Sequence, residues 1–425
     1  MDTVMMRDEP NVAESMVGTD LLKRFRRIRQ TSESIAQPLT IEDCVIQTSI
    51  ECSPVKWQLA HTTWFFETFI LLQYDTSYRE YHPTFGYLFN SYYNAIGDRT
   101  PRPARGLMSR PTLVEVMQYR AHVDHAMERL IEREDSSISS LIVLGLNHEQ
   151  QHQELILTDV KTVLAMNPLR PVYQSREIER GSIPPLSWSS FDEGLYEIGT
   201  KGDGFFFDNE DPRHRTYIEE FNLANRLITN GEYKQFITDG GYRTPSLWLS
   251  DGWAKCLNDR WLAPNYWEEH EGEWWNMTLQ GFRKVEDSEP VTHISHFEAD
   301  AFAAWSGARL PTEFEWEIAA NNVELRGNFL DDRMFHPIPL RHGDGLTQIF
   351  GDVWEWTRSA YLPYPGYKPE KGAIGEYNGK FMSNQTVLRG GSCMTPADHI
   401  RSTYRNFFPP DARWQFSGIR LARDN

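Results

Sequence analysis

The chain is poor in cysteine, short of positive charge and without a long apolar run. Its four cysteines (Cys44, Cys52, Cys256, Cys393) are scattered through 425 residues with no CxxC pair. That spacing argues against a zinc ribbon and against a disulfide scaffold, and makes the cytoplasm the expected location. Lysine and arginine total 43 against 60 aspartates and glutamates, a formal net charge of -17. Such a balance argues against nucleic acid or an anionic membrane surface as partner, while leaving room for local basic pockets. The longest apolar segments, such as Phe69 to Leu72, fall far short of the roughly 18 residues of a membrane span. Residues 1–18 are acidic, lack the charged-then-apolar pattern of a signal peptide and read as a mobile leader. No internal repeat or low-complexity tract is found.

Helical patterns occupy residues 19–166. Leu21 to Gln30 follows a Thr19-Asp20 cap signal, and a shorter candidate begins at Thr40. A third helix starts at Ser53-Pro54, a fourth runs from Ser109-Arg110-Pro111 to about Glu134, and a fifth spans Leu141 to Lys161. Long helices with moderate connections predict an antiparallel bundle, whose core can hold a metal between facing helices. Residues 167–188 carry four prolines with little periodicity and form the expected linker. Over residues 189–425 short aromatic runs alternate with Gly, Asp, Asn and Pro. Only Asn230 to Ile237 and Phe297 to Trp305 look clearly helical there. Abundant tryptophan predicts a compact, loop-rich α+β domain held by aromatic burial.

The fifth helix carries the chemistry. His148 and His152 stand at i, i+4, so at roughly 100° per residue their imidazoles share one face. That arrangement points to a metal; the alternative is a pair of core histidines bonded to neighbours. His61 falls in the apolar stripe Trp57, His61, Trp64, Phe65, Thr68, Leu72 of the third helix. A lone imidazole among aromatics is unfavourable unless its nitrogens are bound, which makes His61 the third candidate ligand. His122 and His125 lie off the stripe Val116, Tyr119, Val123, Met127, Leu130 of the fourth helix and are expected to be solvated. Tyr81 to Pro111, dense in Tyr, Gly, Pro and Arg, reads as a functional loop or a packed Ω-loop.

His148-Glu149-Gln150-Gln151-His152 also satisfies HExxH, in which Glu149 would act as general base on a zinc-bound water. A zinc peptidase of that kind wants a third ligand downstream, where Glu177 is available. On a helical wheel Glu149 and Gln151 each sit roughly 80° from the midpoint of the two histidines, within reach of a ligand beside the metal, whereas Glu154 lies about 140° away and is expected to support another helix. An all-histidine facial site suits Fe(II) with an anionic co-substrate and O2, and equally zinc hydrolysis.

Three stretches, SPVKWQLAHTTWFFETFIL, FNSYYNAIGDRTPRPARGLMSRP and LNHEQQHQE, resemble the DinB-like N-terminal domain of ergothioneine-biosynthesis sulfoxide synthases. The segments GLYEIGTKGDGFFFDNEDPRH, PVTHISHFEADAFAAWSGARLPTEFEWE, GDVWEWTRSAY and VLRGGSCMTPADHIRSTYRNFFPPDARWQFSGIRLA resemble the formylglycine-generating-enzyme-like domain of the same proteins, a sulfatase-modifying-factor domain related to C-type-lectin folds. Together they cover most of the chain after the leader, in the family's order.

The resemblance implies a mononuclear non-heme Fe(II) enzyme. Such enzymes join cysteine sulfur to C2 of the imidazole of hercynine, oxidising that sulfur to the sulfoxide with O2. It maps the iron ligands onto His61, His148 and His152 and the betaine-holding position onto Gln151. Asn406, Phe407 and Phe408 correspond to the stretch lining the substrate pocket. A trimethylammonium group favours aromatic faces, so Phe407, Phe408 and Trp414 are wall candidates. Members that use γ-glutamylcysteine carry an acidic residue and an arginine where this chain has Phe408 and Ala412, so the free-cysteine type is the better match. In that type the tyrosines beside the iron correspond to Tyr92 and Tyr93; a phenol can supply a proton or hydrogen atom without prior ionisation. Tyr361 and Tyr364 are the second-ranked donors. Arg102, then Arg105, is expected to hold the cysteine carboxylate. A true formylglycine-generating enzyme uses a pair of cysteines after RGGS, where this chain has only Cys393. A lectin-like binding module would leave the three histidines unexplained.

Overall fold

A computed structural model describes residues 18–133, 136–177, 180–340, 343, 345–369, 371 and 373–424. The expected leader, apart from Gly18, lies outside the described residues. Among the described residues, four long helices build the first half: α1 (Gly18–Ala36), α2 (Val55–Phe66), α3 (Leu113–Ile131) and α4 (Ser139–Met166). Helix α2 packs against α3 and α4, and α1 packs against α4 and α3. All twelve α2 residues are buried, the polar Lys56, Gln58, His61, Thr62 and Thr63 included.

Three local features depart from the pattern read in the sequence. The candidate at Thr40 is a single 3-10 turn, Asp43–Val45. Helix α3 begins later than Ser109 because Thr112 caps it: its hydroxyl accepts from the Glu115 N–H at 3.2 Å and Glu115 Oε2 accepts from the Thr112 N–H at 2.6 Å. After Phe66, α2 passes through a π turn, Glu67–Leu71, before a last turn at Leu72–Tyr74. The extra residue rotates the following side chains, so Phe69, Ile70 and Leu71 are buried while Leu72 turns outward.

Among the described residues the second half contains four small sheets. β1 (Trp188–Phe191), β4 (Phe221–Ala224) and β12 (Ala422–Asp424) form one in the order β1-β4-β12. β2 (Gly194–Ile198) pairs antiparallel with β3 (His214–Ile218), and β5 (Trp267–His270), β6 (Glu273–Thr278) and β7 (Gly281–Lys284) form a meander. The fourth sheet has the order β10-β9-β8-β11, from β8 (Trp354–Ala360), β9 (Thr386–Arg389), β10 (Asn406–Phe408) and β11 (Ser417–Gly418). The expected helices occur at Asn230–Thr238 and His296–Trp305; Ser250–Asn258 and Glu313–Ala320 are two more that short, weak periodicity hid. Trp316, Trp354 and Trp356 are fully buried. Buried ion pairs tie these strands to a helix and to neighbouring loops: Arg389 to Glu317 at 2.8 Å, Arg405 to Glu313 at 2.8 Å and Arg420 to Glu355 at 2.8 Å. This is the α-bundle plus loop-rich α+β architecture expected.

Glu154 of α4 stitches the halves together. Its carboxylate accepts from Trp354 Nε1 at 2.7 Å, Ser392 Oγ at 2.6 Å and Thr395 Oγ1 at 2.8 Å. The side chain expected to support another helix supports the sheet-bearing half instead.

Candidate metal centre

Helices α2 and α4 bring His61, His148 and His152 together. Their ring centroids lie 4.9, 4.9 and 4.8 Å apart, and each offers a ring nitrogen within 4.8 Å of the other two. His61 Nδ1 donates to the Phe89 carbonyl at 2.6 Å, and His152 Nδ1 donates to Gln58 Oε1 at 3.0 Å. Those acceptors leave each Nε2 as a lone pair, and His61 Nε2 is buried without a hydrogen-bond partner, as is His148 Nδ1. Burial, together with the His152 and His148 rings, holds His61 well below the usual imidazole range; burial likewise brings His148 to about 4. Neutral imidazoles with orphaned nitrogens in a closed triangle fit a divalent transition metal, and three neutral ligands leave coordination positions open.

Glu149 faces away from this triangle. Its carboxylate is buried against Arg29 at 2.6 Å, Arg120 at 3.0 Å and Ser32 Oγ at 2.7 Å. Burial pushes its pKa up, but the two guanidiniums outweigh that and leave it at about 2. The expectation that Glu149 could reach a metal-bound ligand is therefore wrong: α1 and α3 supply two arginines that fix it in the bundle core. Glu177 is exposed and lies outside the metal-ligating group.

A cavity of about 530 Å³ opens beside the histidines, walled by both halves of the molecule. Gln151 reaches into it, held from the other half: its Nε2 donates to the Tyr404 hydroxyl at 2.7 Å, and its Oε1 accepts from the Tyr377 hydroxyl. Tyr404 is in turn bonded to His399 Nε2 at 3.1 Å, and His399 Nδ1 donates to Asn147 Oδ1 at 3.0 Å. The Tyr377 ring stands edge-on to His148, 5.8 Å between centroids. Neither tyrosine was singled out in the sequence; both sit in loops with no periodicity to mark them.

The other candidates divide into wall and backing. Tyr92 lines the cavity. Tyr93 is stacked on it at 4.6 Å and buried behind, against Trp64 and Phe69. Asn406, Phe407 and Phe408 of β10 line the wall, with Phe207 and Phe381, which the sequence reading did not name. Trp414 stands behind Phe408 at 6.1 Å, and Ala412 is fully buried; neither lines the cavity. Tyr361 stacks behind Phe407 at 4.0 Å, and Tyr364 is buried beside Glu313 and Arg389. Both are therefore outside the wall.

Arg102 and Arg105 both line it. Arg102 is exposed and donates to the Glu51 carbonyl. Arg105 is buried, lies 3.5 Å over the Trp57 ring and donates to Ser53 Oγ at 3.0 Å. Burial, with the charges of Arg102 and Arg99, lowers its pKa to about 9, which keeps it cationic at neutral pH. All four cysteines are free and buried, Cys393 among them.

Residues 187–338 and 340–425 match the sulfatase-modifying factor enzyme 1-like domain. The chain is 30% identical over 410 residues to the hercynine oxygenase of Mycolicibacterium thermoresistibile, covering 88% of this chain and 87% of that protein. It is 32% identical over 314 residues to the hercynine oxygenase of Mycolicibacterium smegmatis, covering 66% and 71% respectively. Ergothioneine biosynthesis protein 1 of Schizosaccharomyces pombe is 29% identical over 234 residues, 52% of this chain and 28% of that protein.

Proposed function

The chain belongs to the hercynine oxygenase family, with a sulfatase-modifying-factor-like domain, and on that premise we propose that it is a non-heme Fe(II) sulfoxide synthase of ergothioneine biosynthesis. It would form the C–S bond between hercynine and cysteine with O2, giving hercynylcysteine sulfoxide. The observation that carries this reading is the three-histidine triangle opening onto a cavity with both aromatic and cationic walls. In the proposal residues 19–166 supply the metal ligands, 167–188 link, and 189–425 close the substrate pocket. No described helix is long and apolar enough to cross a membrane, and the proposed location is the cytoplasm.

Iron held by His61, His148 and His152 would supply O2 binding and one-electron chemistry. The residues around it do the rest. Phe407, Phe408 and Tyr377 offer ring faces for a trimethylammonium group, and Gln151, held at both ends of its amide, presents a fixed polar edge beside it. Arg105, with Arg102 at the rim, binds the cysteine carboxylate; its fixed charge in a buried setting orients the thiol towards the metal. Tyr92 keeps its proton at neutral pH because burial drives its pKa upward, so it is a proton source at the cavity wall. Phe408 offers no charge to a glutamyl group and Ala412 cannot touch one, which favours free cysteine over γ-glutamylcysteine.

The test is a reaction of purified protein with Fe(II), O2, hercynine and cysteine, followed by mass spectrometry and O2 uptake. Uptake requiring both organic substrates, with the sulfoxide as product, is the expected result. Zinc-dependent peptide hydrolysis without sulfoxide would refute the proposal. Tyr92→Phe and Tyr93→Phe are expected to shift product towards cysteine sulfinic acid. Unchanged ratios in both and in the double variant would pass the donor role to Tyr377, since Tyr361 and Tyr364 lie outside the wall.

A further inference from the structure

Two of the three histidines in the triangle have their second ring nitrogen anchored, and the anchors differ in kind. His61 is held by a main-chain carbonyl, which no substitution removes. His152 is held by a side chain, Gln58, which has two possible polarities because an amide can present oxygen or nitrogen. What decides the polarity is Asp159. Its Oδ2 accepts from Gln58 Nε2 at 2.8 Å and from the Ser53 N–H at 2.9 Å. A second Gln58 N–H···O contact, to the Ser53 carbonyl at 3.4 Å, points the same way. Turning the amide over would set oxygen against two acceptors at once. The Gln58 carbonyl must therefore face His152, and His152 must carry its proton on Nδ1, leaving Nε2 free for a metal.

The arrangement follows from helix geometry. Gln58 and His61 stand at i, i+3 on α2, and His152 and Asp159 at i, i+7 on α4, so both pairs lie on the facing sides of the two helices. Gln58, Asp159 and His152 are all buried at the wall of the cavity, where each polar atom is worth most when its partner is fixed. Oδ2 of Asp159 accepts two N–H groups whether or not Oδ1 carries a proton, so the polarity holds in either state.

We propose that Gln58 and Asp159 are positioning residues of the metal centre: Asp159 sets the polarity of the Gln58 amide, and Gln58 sets the tautomer and aim of His152. The inference rests on the metal site of the proposed function and not on the reaction. Hydrogen-bonded supports of this type raise metal affinity roughly 10- to 100-fold.

The full-length protein, stripped of metal and titrated with Co(II) as spectroscopic probe, tests it without any turnover. Gln58→Met keeps the volume and removes the acceptor; its Co(II) affinity is expected to fall roughly 10- to 100-fold. The double variant Gln58→Glu/Asp159→Asn restores the acceptor for His152 with the charge moved: the new carboxylate accepts from His152 Nδ1–H and from the Asn amide, which gives up the bond from the Ser53 N–H because one oxygen, Oδ2, takes both bonds in the parent. Its affinity is expected to return to that of the parent. In the metal-free parent, ¹⁵N shifts are expected to show His152 protonated on Nδ1. Parental affinity in Gln58→Met would mean that Gln58 only fills space, and a double variant as weak as Gln58→Met would remove the polarity argument. If Gln58→Met does not fold, the double variant and the parental tautomer decide: a proton on Nε2 of His152 would overturn the proposal. In all these cases a sulfoxide product in the parent enzyme would stand or fall separately.

Discussion

On the helical side of the cavity, side chains are aimed by periodicity. His148 and His152 are one turn apart on α4, and His61 meets them from the facing helix α2. On the opposite side Phe207, Tyr377 and Tyr404 come from loops with no repeat, aimed by contacts at a distance: Arg401 Nε to Glu210 at 2.8 Å, Arg405 to Glu313 at 2.8 Å and the Tyr404–His399–Asn147 chain. The bundle thus builds the metal triangle from local geometry. The loops build the opposite cavity wall from long-range pairing. The two meet on Gln151, which belongs to the helix yet takes both its hydrogen bonds from loop tyrosines.

That contrast can be broken most severely on the helical side. His61→Ala or His148→Ala is expected to abolish tight metal binding, a loss larger than the roughly 100-fold ceiling of outer-shell changes; titration with Co(II) measures it. Next comes Glu149→Ala, which removes the fully buried carboxylate that Arg29 and Arg120 share and leaves them only Asp124 at 2.7 Å and Glu33 at 3.5 Å. It is expected to cost about 3–5 kcal/mol in a denaturant titration, whereas a catalytic base could be removed with little loss of stability. The sign with pH follows from the same carboxylate. Its folded pKa of about 2 lies below the ordinary 4.5. Its stabilisation is therefore complete above the ordinary value and is lost as pH falls towards and through the folded one. Glu149→Gln should flatten that part of an acid-unfolding profile.

On the loop-facing side the effects are smaller and fall on substrates. Arg105→Met removes a buried charge-assisted contact of about 1.5–3 kcal/mol, or roughly 10- to 100-fold in KM for cysteine. Arg102→Met, at an exposed rim, should change it only a few-fold, and hercynine KM should stay level in both. Tyr404→Phe deletes one neutral hydrogen bond to Gln151, about 0.5–1.5 kcal/mol, so hercynine KM should rise roughly tenfold at most. Equal loss of metal affinity in Tyr404→Phe would blur the division between the two sides.

The legible part of the fold was the part governed by short-range rules. Helices α1, α3 and α4, the His148–His152 face and the placing of His61 among aromatics all follow from spacing and burial. The π turn after Phe66 was not legible, because the stripe that predicted a buried Leu72 assumes an unbroken 3.6-residue period. Glu149 and Gln151 looked equivalent on the wheel, about 80° to either side of the metal direction. Nothing local distinguishes them. One faces arginines from α1 and α3, the other a cavity closed by loops more than two hundred residues away in the chain.

By itself the sequence determined the helical half, the histidine pair of one helix face with His61 among aromatics, and an aromatic, loop-rich second half, since these depend on periodicity and composition within short windows. The tertiary structure alone decided which neighbours of those histidines face the cavity. It committed Glu149 to the bundle core and Glu154 to joining the halves, and turned Gln58 and Asp159 towards His152. It also brought Tyr377 and Tyr404 to Gln151 and left Tyr361, Tyr364 and Trp414 outside the wall. The physical reason is that a buried polar group must find its partner wherever the fold places one, and partners distant in sequence leave no mark on the local pattern.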